Sequence, residues 1–568
     1  MLKKFIFMII LALLAFAGCA DEVAEEPAAE APAATTADVY EHHEDFHFDR
    51  DAIEEVAQVA HRSDVFHTVI EFSHEGGFYE QGFVLHLSTY TMFADEAPPD
   101  ELIEIRYETG GRRPTPYSAK YDGSGIIISA CGSDILTGTI VTAVAFSESG
   151  ERLSYFHTHS YFVSEDIFTR YQLPVISLVT DPANLFDAER GIYVNYEMRG
   201  VDWERTVHFE LFEPDGELAL SHLMGMRISG PSRDLEQKSL RLSARFSIDR
   251  SHRLIDYELF PGLTNSVDDE PLALLRRIIL HNGGRDNSGA LFRDALIHEL
   301  ASGLNLNVQA HRPCVVFING EFWGVYNIRE RLDQYYFHGH YFILPELLAL
   351  LELSGGSTPE IQQGYEHDVA HYNRVWQFFR DNSMADGANY ARAQEYICVA
   401  SYIDFLAVNI YAGNLGWLEN NNMFWRFRTE FDYGAPWYLD GRFRWALRNM
   451  DGAFGLGAPV YADTLGEILA DNSWHTLIAR RLFENYGFRA KFYARFRELM
   501  DTVFDADAVT ARVREMQSAR AAAVPEHSAR FPSSLASAEQ WEANIDALLD
   551  FVQNRRRYAE QHLQALFY

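Results

Sequence analysis

The sequence predicts an α+β protein in which a small β-sandwich precedes a mixed domain with a helical C-terminal part. Three observations predict it. Between residues 65 and 163, short runs rich in β-branched and aromatic residues recur, separated by Gly, Asp and Ser. From about 170 to 330, more strand-like runs alternate with glycine turns. Beyond 345 the apolar residues return mainly at helical spacing, over 345–413 and again over 475–568.

The chain has 568 residues, 47% of them hydrophobic, enough for several domains and a large buried core. It carries 48 basic and 82 acidic residues, a net charge of −34. That field repels nucleic-acid phosphates and anionic lipid headgroups, so no nucleic-acid partner is expected. A local basic pocket for a nucleotide is still compatible with it.

MLKKFIFMIILALLAFAGC places Lys3 and Lys4 before an apolar run and small residues before Cys19. Residues 1–19 are therefore expected to be a secretory signal of the bacterial lipoprotein type, with Cys19 as the lipidated residue. An ordinary signal peptide with an incidental Cys19 is the alternative. No later run of 18 apolar residues lacks charges, so the expected membrane attachment is the lipid alone. Residues 20–60 open with an Ala-, Glu- and Pro-rich stretch and read as a disordered tether. His42, His43 and His47 lie in it; a floppy segment fixes ligand geometry poorly, so solvated linker is the simpler reading. Cys131, Cys314 and Cys398 are scattered, with no CxxC spacing, and are expected to be buried thiols.

Residues 61–165 form the expected sandwich. Within them, IRYETGGRRPTPYSAKYDG and the run ending FHTHSYFV resemble the fibronectin type III-like module at the C-terminus of chitobiases and hexosaminidases. Tyr107, Pro114, Thr115, Ser118, Tyr121 and Tyr161 carry the resemblance. It implies an accessory spacer without catalysis.

Residues 166–568 form the second expected domain. YQLPVISLVTD, GIYVNYEMRG, VHFELFEPDG, GMRISG and KSLRLSARF read as strands. FRDALIHELASGLNL reads as a helix, with Leu296, Ile297, Leu300 and Leu304 on one face. CVVFINGEFWGVYNIRERLD is a hairpin turning at Asn319-Gly320. YIDFLAVNIYAG closes a helical stretch and leads into GNLGWLENNNMFW, a polar loop between a helix and a strand. A second strand then ends at Asn449-Met450-Asp451.

Protein kinases share this order of helix, catalytic loop, two short strands and an Asp-Phe-Gly metal site. Mg²⁺ takes hard oxygen ligands but only one or two protein carboxylates, because phosphate oxygens and waters complete its shell. Asn421 and Asp451, with Asn449 as a further donor, are the candidate metal ligands. The alternative is that the asparagines make Asx turns and Asp451 caps one.

FINGEFWGVYNIRERLD resembles the signature of the CotH kinase family, the spore-coat protein H type of atypical kinase. LPVISLVTDPANLFDAERGIYV, GMRISGPSRDLEQKSLRL, ILHNGGRDNSGALFRDAL and RFRWALRNMDGAFG resemble further stretches of that family in the same order, over about Leu173 to Phe454. The resemblance implies an atypical protein-kinase-like domain that uses ATP and Mg²⁺. It casts Lys238 as the cation on the phosphates. Arg329 and Glu330 match a family Arg-Glu pair, with Glu330 orienting Lys238 or merely closing a salt bridge. Asn421, Asn449 and Asp451 take the metal role.

Two positions depart from the family pattern. The loop aspartate falls on Gly416, which cannot accept a proton. The first acid of the Asp-x-Asp-x-x-Phe-Gly stretch falls on Asn449. Glu419, three residues past Gly416, is the candidate substitute base; Asp404, on the preceding helix, is the weaker one. The expected function is a lipid-anchored, extracytoplasmic and monomeric kinase-like protein that phosphorylates hydroxyls of extracellular or cell-envelope proteins. The alternative is a pseudokinase acting as a cell-surface scaffold for protein or carbohydrate. A glycoside hydrolase has little support, since no pair of carboxylates flanks a sugar site.

Overall fold

Alternation of apolar residues along the first strands builds a two-layer β unit. The computed structural model describes residues 68–91, 103–415 and 417–566; Cys19, the tether with its histidines, and Gly416 lie outside them. A five-stranded sheet contains Gly77–Tyr79, Ile103–Thr109, Ala119–Lys120, Gly138–Ser147 and His157–Val163. Two two-stranded sheets, Thr68–Phe72 with Leu87–Thr91 and Phe83–Leu85 with Ile126–Ile128, complete the unit. Ile70, Leu85, Leu87, Ile128, Val141, Ala143 and Tyr161 share its core.

The next strands close into a seven-stranded barrel: Val175–Val179, Arg205–Phe212, Leu218–Ser229, Ser239–Ser243, Arg277–His281, Glu321–Glu330 and His311–Ile318. Closure comes from parallel pairing of Val175–Leu178 with Val315–Ile318. Every second residue points inward, so Ile176, Leu178, Phe209, Leu211, Met224, Leu240, Leu280, Val316 and Ile328 fill it. The hairpin turn has φ of 52° at Asn319 and 85° at Gly320, the geometry Asn-Gly favours. GIYVNYEMRG is not a strand: it is a run of turns after the short helix Pro182–Phe186. Its Ile192 and Tyr193 bury instead against the end of the barrel.

The rest of the chain is a four-stranded sheet, ordered Glu360–Gln363, Leu348–Leu353, Asn422–Phe427, Arg444–Ala446, with helices around it. The helical reading of 345–413 fails over its first part. Leu348–Leu353 is buried along its whole length, and such a short apolar run carries no period that separates strand from helix. Helices Glu366–Asp381, Gly387–Tyr396 and Val399–Ala412 follow as expected. Five more span Leu477 to Gln564, the last being Ala538–Gln564, capped by the Ser537 side chain. Its buried stripe of Trp541, Ile545, Leu548 and Val552 joins Phe405, Phe454 and Leu406 in the largest core. The architecture is thus mixed α and β throughout.

Among the described residues no helix is long and apolar enough to cross a membrane. Of the three cysteines only Cys314 is buried; Cys131 and Cys398 are half-buried, which corrects the expectation of three core thiols.

Candidate active site

Helix Val399–Ala412 ends at Gly413, whose φ of 63° lets the chain turn out of the helix. Arg555, itself buried, locks this end by donating to the carbonyls of Tyr411 (2.9 Å) and Ile410 (2.8 Å). In the polar loop that follows, two of the asparagines are structural. Asn414 donates to Asn409 Oδ1 at 2.9 Å. Asn422 donates to the Leu418 carbonyl and accepts from Trp445 Nε1, both at 3.1 Å. Trp417 and Leu418 are buried beneath the loop.

Asn421 is different. Its backbone φ is 56°, and Asn449, three residues past the second strand Arg444–Ala446, which ends earlier than expected, has φ 49°. Asparagine tolerates this left-handed region better than other L side chains, and such conformations cluster at functional sites. The two meet: Asn449 Nδ2 donates to Asn421 Oδ1 at 2.5 Å. Asp451 stands two residues further on.

The Asp451 segment is pinned on both sides. Met450 N donates to Asp294 Oδ1 at 2.8 Å, and Phe454 N donates to the Ala412 carbonyl at 2.8 Å. The Asp451 carboxylate is buried yet, among the described residues, closes no salt bridge; its one hydrogen bond there comes from Arg285 N, 2.9 Å from Oδ2. Burial, reinforced by the nearby Asp294 and Asp286 carboxylates, pushes its pKa up to about 6 against the pull of Arg285.

Arg285 belongs to the loop Asn282-Gly283-Gly284-Arg285, which leaves strand Arg277–His281. Gly284 has φ 61°, and a Cβ there would lie 2.0 Å from Asp451 Oδ2. Only glycine fits between this loop and the carboxylate. Sequence reasoning quoted the loop for its family resemblance but gave it no role. A Gly-Gly pair after a strand, followed by an arginine, is the signal that marks it.

Lys238 immediately precedes strand Ser239–Ser243. Its ammonium donates to the carbonyls of Arg233 (2.6 Å) and Leu235 (2.8 Å) and lies 4.4 Å from the Tyr196 ring centre. Burial lowers its pKa. Glu330 does not pair with it: Glu330 accepts from His340 Nε2 at 2.7 Å and from Ala310 N at 2.9 Å. Arg329 is buried and ion-pairs with Asp294. Burial would raise Asp294, but Arg329 and His298 overcome that and hold it well below the ordinary range. Arg329 therefore reaches the site only through Asp294, which holds Met450 N, whereas Glu330 pairs with His340.

Glu419 is exposed, its carbonyl accepts from Gly355 N at 2.7 Å, and its carboxylate has no partner among the described residues. Asp404 is fully committed to Arg495 and Asn305. Among the described residues, no group of three or more His, Cys, Asp or Glu is placed to hold a metal. The chain thus brings Asn421 to Asn449, and two residues on sets the Asp451 carboxylate against the Gly284–Arg285 loop: one carboxylate and two side-chain amides on one short segment and its neighbour. That set suits a hard cation whose remaining ligands are phosphate oxygens and water, and does not suit a self-sufficient protein cage.

No curated protein matches the chain. A family model described as CotH kinase protein matches residues 222–559, from the third barrel strand to the last helix. The match covers more than half of the chain and contains every site residue above, so the chain belongs to the CotH kinase protein family.

Proposed function

We propose that this CotH-type kinase-like protein binds Mg-ATP at the corner formed by Asn421, Asn449 and Asp451. The observation that carries the reading is the pairing of two left-handed asparagines, one of them two residues before a buried carboxylate that, among the described residues, closes no salt bridge and accepts one hydrogen bond. Uncompensated burial of an acid is costly and is retained where a ligand supplies the missing charge. Mg²⁺ would supply charge neutralisation on the triphosphate, held by Asp451 with Asn421 and Asn449. Asp294 and the Phe454–Ala412 hydrogen bond fix where Asp451 stands. Lys238 is the family's expected phosphate cation and serves there only after releasing two carbonyls.

The proposed reaction is phosphoryl transfer to hydroxyls of extracellular or cell-envelope proteins. The chain is proposed to be a monomer held at the bacterial surface through lipid on Cys19. Glu419 is the proposed group that positions the acceptor hydroxyl, because its carboxylate is exposed and has no partner among the described residues, and it follows Gly416 by three residues. Phosphoryl transfer relies on positioning and electrostatics more than on a strong base.

A second reading is favoured by Gly416 and Asn449, which leave the site two carboxylates short of the family pattern. In it the protein binds nucleotide without transfer and serves as a surface scaffold. Melting curves with millimolar Mg-ATP, for the wild type and Asp451→Ala, test the shared premise. Ligand bound to the folded state raises the melting temperature. A rise lost in the variant supports the site, and no rise in the wild type rejects it. Transfer of labelled phosphate then separates kinase from pseudokinase.

A further inference from the structure

The geometry points to Arg285, not Lys238, as the cation that binds the phosphates of the ligand held at Asp451. The inference rests on the reading above for the nucleoside part of that ligand, and on local geometry alone for its phosphates.

The loop that carries Arg285 is tied at every other charged or amide side chain. Asn282 donates to the Gln237 carbonyl at 2.5 Å and accepts from Ser239 Oγ at 2.7 Å. Asn287 donates to Gln237 Oε1 at 2.8 Å and to the Asn282 carbonyl at 2.9 Å. Asp286 accepts from Ala290 N at 2.8 Å and Arg293 N at 2.9 Å, and ion-pairs with the Arg293 guanidinium. The Arg285 guanidinium alone has neither hydrogen bond nor ion pair among the described residues.

Its position is also fixed at the root. Its backbone N–H sits on Asp451 Oδ2 at 2.9 Å. Its Nη1 passes 3.5 Å from where a Cβ of Gly452 would lie. The guanidinium is therefore exposed directly beside the Asp451 corner, on a loop too well anchored to swing away. In a chain with 82 acidic residues against 48 basic ones, an exposed arginine that closes no salt bridge among the described residues is available to an incoming anion. A planar guanidinium matches phosphate oxygens in a fork geometry. Lys238 faces the opposite situation: its ammonium is buried, satisfied by two carbonyls and set over Tyr196.

The test is isothermal titration of the full chain with Mg-ATP and, separately, with inorganic triphosphate plus Mg²⁺. The proteins are wild type, Arg285→Ala, Arg285→Lys and Lys238→Met. Because the Arg285 side chain is unpartnered and exposed, its variants should melt with the wild type. The expected result is at least tenfold weaker binding of both ligands by Arg285→Ala, an intermediate loss in Arg285→Lys, and a loss under threefold in Lys238→Met. Binding of both ligands by Arg285→Ala within twofold of wild type overturns the inference and leaves the nucleotide reading standing. Triphosphate binding that depends on Arg285, without any Mg-ATP binding, supports the inference and rejects the nucleotide reading. Absence of binding for both ligands in the wild type overturns both.

Discussion

Two buried aspartates are treated in opposite ways. Asp404, on helix Val399–Ala412, is completely buried and accepts four hydrogen bonds, from Arg495 Nε (2.7 Å) and Nη2 (3.2 Å) and from Asn305 N (2.9 Å) and Nδ2 (2.8 Å). Asp451, almost as deeply buried, accepts one among the described residues. A desolvated carboxylate is stabilising only when its partners replace the lost water. Asp404 therefore holds the helical part together, whereas Asp451 destabilises the corner it occupies. The contrast separates a structural acid from one kept for a ligand, and it does so without reference to family.

The largest expected effect comes from breaking the satisfied acid. Asp404→Ala strands the Arg495 guanidinium and the Asn305 amides and should cost about 3 kcal/mol, read as a lower denaturant midpoint. An unchanged midpoint would remove the contrast.

Replacing the unsatisfied acid should do the reverse. The folded pKa of Asp451, about 6, lies above the ordinary 3.8. Its protonated form is favoured by folding, so stability falls as pH rises from about 4 to 6. Asp451→Asn removes that loss and should be more stable than wild type by roughly 3 kcal/mol at pH 7. The gain should vanish below about pH 4, where both states are protonated, and urea melts across this range check it. A constant difference at all pH values points to packing instead.

Next in size is Gly284→Ala. Its Cβ would fall 2.0 Å from Asp451 Oδ2 at a φ of 61°, and the expected cost is about 1 kcal/mol or more. The combined change with Asp451→Gly should cost less than the sum, because the colliding carboxylate is gone. Strict additivity argues that the glycine serves the turn alone.

The smallest stability effect belongs to Glu419→Gln, within about 0.5 kcal/mol, as for exposed sites generally. If labelled phosphate is transferred, this variant should lower the rate about 100-fold without moving the melting temperature. An unchanged rate assigns the hydroxyl to another group.

Several features were legible in the sequence because they depend on neighbours. The Asn319-Gly320 hairpin, the helix Ala538–Gln564 and the sequence of short strands before residue 163 follow from local period and turn chemistry. The sequence names both Asn421 and Asn449 as candidate ligands, but their hydrogen bond to each other, across 28 residues, is a tertiary contact. What sequence reasoning missed is non-local. Barrel closure requires Val175–Leu178 to find Val315–Ile318 across well over a hundred residues. The strand Leu348–Leu353 lacks a polar face, so its period is silent. The partners of Lys238 and Glu330 depend on which carbonyls and histidine the folded chain supplies. Asp294, 156 residues before Met450 in sequence, enters the site only through tertiary packing.

The measurement that tests the central claim most directly is the unfolding free energy of Asp451→Asn at pH 7, with and without saturating Mg-ATP. The account predicts a variant that is more stable than wild type when ligand-free and indifferent to Mg-ATP. The wild type should gain ~2.7 kcal/mol at a hundredfold excess of ligand over its dissociation constant. A variant that loses stability on its own, or gains as much from Mg-ATP as the wild type, contradicts it.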